Sequence, residues 1–462
     1  MSKLHNLLLD NASIKVINQE LMRSHNIYGI DNTDSIKKQY KDVFVRFDKY
    51  INKIGIFALP VKKYVESQSK ISKYIISNED KEKWRGIFQK FTFKKRNNIF
   101  LRGICYYYWL PPYIFADNRT TYEKWEGQFT YSLEALNLIH QYHLLSFWSQ
   151  LSIEEQLLIL CILDHYKNSI YAVLNNIYRV SLDNQEGTSD DIFTHLDIIT
   201  QECTDLYYSL ILNKPNRDGI ARLLTHNKKI KITNVMEKYQ PEQQGMRELD
   251  DPYIISFSIL SLLKQIEIKK KQYDMVIDFP YGGTELGFAF ISIFKLIYKD
   301  KKPPEVIHCL YSSKKMRRDP TIAAKKETTQ WLFNFIPKYY HKKLEELLKQ
   351  KVGILLYDNN VTTFGSLAEI KRFFKDVYDI TADGAVAAIY YSNISKYLLG
   401  KKSEPLISNW QKMLDYKPVT DYITAFNTWG TSRKGQIIES IFFNQKSSLA
   451  FNRQKHYFKS HF

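Results

Sequence analysis

The sequence predicts a mainly α-helical N-terminal domain followed by an α/β C-terminal domain, with a parallel sheet flanked by helices. Three observations carry this. Between about 35 and 212, apolar residues recur at steps of three and four, the spacing of an amphipathic helix. Between 273 and 391, short apolar runs that end in glycine-rich or polar turns alternate with helical patterns, the rhythm of β-α-β units. Between them, 214–251 carries Pro215, Gly219, Pro241 and Gly245 with few regular periods, which is where a domain boundary is expected. The expected divisions are 1–250, 251–392 and a C-terminal segment 393–462.

The chain has 462 residues, room for two or three domains, and its 44% apolar and 25% charged residues describe a globular rather than a disordered protein. A net charge of +17 favours phosphate-rich partners, nucleic acid included, although lysines in helical patterns also read as solvated faces. Cys105, Cys161, Cys203 and Cys309 show no paired spacing, so neither a disulfide framework nor a zinc knuckle is expected. The apolar run before Asp10 is too short for a signal peptide, and no run nears the roughly 20 residues of a membrane span. A soluble, cytoplasmic chain without membrane contact is the expectation.

In the first half, helices are expected near 36–54, 133–150, 153–180 and 190–212, with breaks at Pro60, Pro111, Pro112 and Pro215. Ser152 and Glu155 have the spacing of a capping box opening the third. Tyr106, Tyr107, Tyr108, Trp109 and Tyr113 crowd together beside Lys94, Lys95 and Arg96, which leaves two readings open: a buried or partner-facing aromatic cluster, or a base-stacking platform. His165 and His195 lack ligand spacing and read as core or surface residues.

In the second half, a helix over 254–271 leads to the strand-turn-helix unit 273–287, where Gly282 and Gly283 let backbone approach an anion and Thr284 caps the next helix. A strand over 305–311, the basic run Lys314, Lys315, Arg317 and Arg318, and a helical stretch over 321–349 follow. The organising unit is 351–374. An apolar strand runs into Asp358-Asn359-Asn360, a loop carries Asp358, Thr362, Thr363, Gly365 and Ser366, and an amphipathic helix begins. Unpaired N–H groups and the macrodipole at that helix start attract phosphate, while the acid at the strand end suits sugar hydroxyls or a metal. A last strand is expected over 385–391, with ligands at the carboxyl ends of the strands.

This arrangement resembles the type I phosphoribosyltransferases, whose signature is an apolar strand, two acids, two threonines and glycine before a helix. Asp358 matches the first acid, Thr362 and Thr363 the threonines, Gly365 the second glycine position and Ser366 the last hydroxyl; Asn359 stands for the second acid and Phe364 for the first glycine. The resemblance implies that Val361, Thr362, Thr363, Phe364, Gly365 and Ser366 hold the 5-phosphate of phosphoribosyl pyrophosphate. Asp358 and Asn359 would face the ribose at the catalytic centre, Asp358 also serving Mg²⁺ indirectly. It further implies pyrophosphate contacts from Tyr281, Gly282, Gly283 and Thr284, Tyr281 standing where the family is often basic. Lys314, Lys315, Arg317 and Arg318 correspond to the mobile hood, or form an ordinary solvated basic loop. Residues 393–462 correspond to the hood or lid that chooses the nucleophile, with 427–433 as its base-stacking candidate and packing as the other role for Trp429.

The implied activity is transfer or release of pyrophosphate on a ribosyl phosphate with Mg²⁺. The alternatives are a non-catalytic ribosyl-phosphate sensor or regulator, which Asn359 and Phe364 favour, and a basic nucleic-acid-binding protein. Similar domains fused to long helical regions resemble effectors of bacterial conflict and antiphage systems, so a toxin effector whose helical half meets a protein partner is also an expectation.

Overall fold

The computed structural model describes residues 36, 38–46, 71–90, 121–183, 190–238, 252–279, 285–311, 331–361, 365–390, 421–423 and 426–427. They fall into two compact units, 41–247 with 452–461, and 1–40 with 248–451 and Phe462.

The first unit is helical throughout its described elements: α1 (Ile71–Tyr74), α2 (Asn78–Lys90), α3 (Thr121–Gln141), α4 (Ile153–Asp183), α5 (Asp190–Ile211), α6 (Gly219–Lys229) and α7 (Ile232–Lys238). α4 buries Ile159, Ile162, Leu163, Tyr166, Ile170, Val173, Leu174 and Ile177 at the three-and-four spacing read from the sequence. Its Tyr166 ring stacks on Phe129 of α3 at 5.3 Å, and its Tyr171 hydroxyl bonds Thr204 of α5 at 2.8 Å. The capping box is present. Ser152 N–H donates to Glu155 Oε2 at 2.9 Å, and Glu155 N–H donates to Ser152 Oγ at 3.3 Å.

Two expectations in this unit are corrected. The helix expected over 133–150 stops at Gln141, because His143 adopts a left-handed backbone (φ 49) and a 3₁₀ turn over Leu144–Gln150 takes over. Its buried Leu144, Leu145 and Trp148 suit either period, so spacing alone could not separate them. The stretch 214–251, expected to be irregular, holds α6 and α7. Pro215 and Gly219 mark a turn between helices, and Ile220, Leu223 and Leu224 of α6 are buried.

The second unit runs α8 (Pro252–Ile268), β1 (Met275–Asp278), α9 (Glu285–Ile297), β2 (Glu305–His308), α10 (His341–Lys349), β3 (Ile354–Val361), α11 (Gly365–Tyr378), β4 (Asp383–Tyr390), β5 (Tyr422–Ile423) and β6 (Phe426–Asn427). The sheet has the order β2-β1-β3-β4-β5, with β6 also on β4, and every pair is parallel. Helices flank it, as parallel crossovers require. β1 and the first half of β3 are buried on both faces, which is why they read as continuous apolar runs. α8 is buried along most of its length, and its Ser258 hydroxyl meets that of Tyr357 on β3 at 3.1 Å.

Three boundaries differ from expectation. β2 ends at His308 rather than at 311, since Leu310 N–H turns away to the Phe335 carbonyl at 2.7 Å. Among the described residues of 321–349, only α10 is an α-helix. Trp331–Phe335 and Lys338–Tyr340 are 3₁₀ turns separated by Pro337, which has no N–H to continue a helix, and 321–330 lie outside the described residues. Part of the 393–462 segment extends the sheet: Asp421 accepts hydrogen bonds from Gly384 N–H at 2.7 Å and Lys371 Nζ at 2.8 Å, and the next two residues pair with β4.

Candidate site at the carboxyl edge of the sheet

From β1 the chain crosses to β2 on one side, and from β3 it crosses to β4 on the other, so neighbouring β1 and β3 form a topological switch point. Parallel crossovers are right-handed as a rule, which places α9 and α11 on opposite faces and makes the ends of β1 and β3 the expected place for a ligand crevice.

The two strands end unevenly. Their ladder closes at Asp278↔Tyr357, whereas β3 stays paired with β4 through Val361↔Ile389. β3 therefore outruns the β1 ladder by residues 358–361, a step of about 13 Å at the usual rise per residue. This corrects one expectation: Asp358, Asn359 and Val361 belong to the strand, not to the loop after it. Asp358 is half-buried at the foot of the step. α11 opens at Gly365, four residues beyond the last residue of the strand, with half-buried Ser366 in its first turn.

Thr362, Thr363 and Phe364 lie outside the described residues, as do Tyr281, Gly282, Gly283, Thr284, Lys314, Lys315, Arg317 and Arg318. The aromatic and basic cluster 94–113 and Trp429 also lie outside them, while Asn427 is in β6. The described members Asp358, Asn359, Val361, Gly365 and Ser366 fall together at one strand end and the adjoining helix start.

Sequence reasoning missed a second acid at this edge. Asp278 and His308 are the last residues of β1 and β2 and are register partners. Both are buried, with Asp278 Oδ1 2.5 Å from His308 Nδ1, and Asp278 Oδ2 accepts Gly287 N–H in the first turn of α9 at 3.0 Å. Phe288 and Tyr340 cover the imidazole at ring distances of 4.7 and 5.7 Å. The signal was available for Asp278, a polar residue closing an apolar strand, the feature that singled out Asp358; His308 is hidden inside the run 305–311 read as strand. Side chains alternate along a strand, and Asp278 lies beside Tyr357, so Asp278 and Asp358 face opposite sides of the sheet. They are separate sites, not a carboxylate pair. Burial, reinforced by the Asp278 charge, pushes the Cys309 thiol well up, which keeps it protonated and unreactive.

A cavity of about 700 Å³ lies at the opposite, amino edge, lined by Leu263, Tyr273, Asp274, Phe294, Glu305 and Val352 among others. Open parallel sheets bind at their carboxyl edge, and the amino-edge cavity mixes lysines with acids, so it does not displace the switch point as the candidate. Among the described residues no three or more His, Cys, Asp or Glu side chains group to hold a metal, and no helix is long and apolar enough to cross a membrane. Comparison of the chain with protein-family models, curated proteins and solved structures returns no match.

Proposed function

We propose that the chain binds a ribosyl phosphate, phosphoribosyl pyrophosphate above all, at the β1–β3 switch point and transfers or releases its pyrophosphate. The observation that supports this most is the stepped end of β3: a carboxylate at the foot of the step, then a helix start four residues past the strand's last residue. A phosphate at that helix start meets the positive end of the dipole, and a pentose extending from it reaches back toward the strand end.

In this reading Asp358 accepts hydrogen bonds from ribose hydroxyls and orients C1, while Ser366 and the backbone leading into α11 hold the 5-phosphate. Basic residues 314–318 would neutralise the departing pyrophosphate as positive charge grows on the ring. One carboxylate suits Mg²⁺ carried in by substrate, since that ion keeps its waters and takes most ligands from phosphate oxygens. Asp358 would be the residue that helps hold Mg²⁺, which would supply charge neutralisation for the leaving group.

Asn359 and Phe364 favour a second reading, a sensor that holds the same ligand without turnover. Removing one carboxylate weakens the grip on sugar and metal, and a ring in place of glycine restricts the loop. Incubation with phosphoribosyl pyrophosphate, Mg²⁺ and a panel of bases, nucleotides and RNA, following pyrophosphate, separates the two. Turnover lost in Asp358→Ala supports the enzyme; binding lost in that variant without turnover in the parent supports the sensor.

A further inference from the structure

Resting on the ribosyl-phosphate reading, we propose that Asp278 and His308 are positioning residues that pin the first turn of α9 to the end of β1 and so fix one wall of the switch-point crevice. A fully buried carboxylate needs partners for both oxygens, and Asp278 has them: Gly287 N–H on Oδ2 and His308 Nδ1 on Oδ1. The first bond ties the strand to the helix nine residues on. The second ties it to the neighbouring strand, and Cys309 N–H on the Asp278 carbonyl at 2.9 Å completes the junction. Three segments thus meet at one side chain: β1, the start of α9, and the exit of β2 toward the basic run 314–318.

α9 approaches β1 too closely at Gly287 to leave room for a side chain. A β-carbon on Gly287 would stand 2.8 Å from both the Asp278 carboxyl carbon and Val306 Cγ1. The carboxylate also takes an N–H from the α9 start and meets the positive end of its dipole. The Gly287 N–H is therefore satisfied from within the fold and is not available to a ligand's phosphate. Asp278 reaches the ligand only through α9, so its role is placement and not chemistry.

The test compares Asp278→Ala, Asp278→Asn and His308→Ala by amide hydrogen exchange in the free protein and by titration with two probes, phosphoribosyl pyrophosphate with Mg²⁺ and ribose 5-phosphate. Asp278→Ala is expected to speed exchange over 285–290 by about tenfold or more while leaving 365–370 unchanged, because only the α9 junction opens. Asp278→Asn keeps an acceptor for Gly287 and is expected to restore protection to within about threefold. Affinity for phosphoribosyl pyrophosphate should fall about tenfold in Asp278→Ala, and that for ribose 5-phosphate, held at α11, by less than about threefold. Should Asp278→Ala not fold, His308→Ala supplies the same comparison with a rise in exchange of about threefold. Unchanged exchange over 285–290, or an equal rise over 365–370, overturns the pinning. A parent protein that binds neither probe overturns the ligand reading and the functional half of the proposal, while exchange still decides the pinning.

Discussion

Gly287 donates its N–H to Asp278 Oδ2 at 3.0 Å, and the space a β-carbon would need at 287 is already taken by the Asp278 carboxyl group and Val306. Neither neighbour can move freely, since Asp278 is fully buried and both residues belong to paired parallel strands. Gly287→Ala is therefore expected to destabilise the fold by about 2–3 kcal/mol, the usual cost of overpacking a core site. Denaturant unfolding measures it; a midpoint equal to that of the parent contradicts the geometry.

Glu155 bridges two helix starts. Its Oε2 accepts from Ser152 and its Oε1 from the Ile71 N–H at 2.8 Å, and the side chain is fully buried. Ser152→Ala should cost about 1 kcal/mol, the common value for losing an N-cap. Glu155→Ala should cost about 2–3 kcal/mol, because it leaves a buried donor at Ile71 as well as an uncapped helix. Faster amide exchange at Ile71 in Glu155→Ala alone distinguishes the bridge from the cap.

In the helical unit Lys167 is fully buried, with Asp164 Oδ1 at 3.4 Å and the Tyr207 ring 4.6 Å beneath its Nζ. Removing one partner takes the opposite charge away from a buried ion, so Lys167→Ala or Asp164→Ala should cost about 3–5 kcal/mol. The double replacement Asp164→Leu with Lys167→Met should recover most of this, because two apolar chains of similar size need no solvation. A double variant as unstable as either single one contradicts the account.

Stability should decline in alkali. Burial pushes the Tyr40 hydroxyl up to about 12, with Tyr298 and Glu267 adding to it. Tyr273 is also raised, first by burial and then by its bonds to Asp383 and Tyr422. Above pH 10 the unfolded chain releases protons that these folded hydroxyls still hold, so stability is intact below about pH 10 and falls as pH rises toward 12. Denaturant midpoints between pH 8 and 12 follow the decline, and Tyr40→Phe should flatten part of it.

The physics of each segment decided what could be read in advance. α4, α5 and the apolar cores of β1 and β3 were legible because one buried face or two buried faces set the residue pattern by themselves. Ser152 and Glu155 were legible because the cap is local. The break at His143 was not, since Leu144, Leu145 and Trp148 would be buried in either conformation. α6 was hidden behind Pro215 and Gly219, whose turn is the same whether it joins helices or domains. The run of β3 past Asp358 depends on pairing with Ala388 and Ile389 of β4, contacts that no local pattern announces. The Asp278–His308 pair spans 30 residues and needs the β1–β2 register before the two side chains can be seen to meet.

The central claim is that the stepped end of β3 holds a phosphorylated pentose, and calorimetric titration of the full chain with phosphoribosyl pyrophosphate and Mg²⁺, in the parent and in Asp358→Ala, tests it most directly. Saturable one-site binding, weakened about tenfold or more in Asp358→Ala by loss of charged hydrogen bonds to the sugar, is the predicted result. Absence of binding in the parent, or equal affinity in the two proteins, would contradict it.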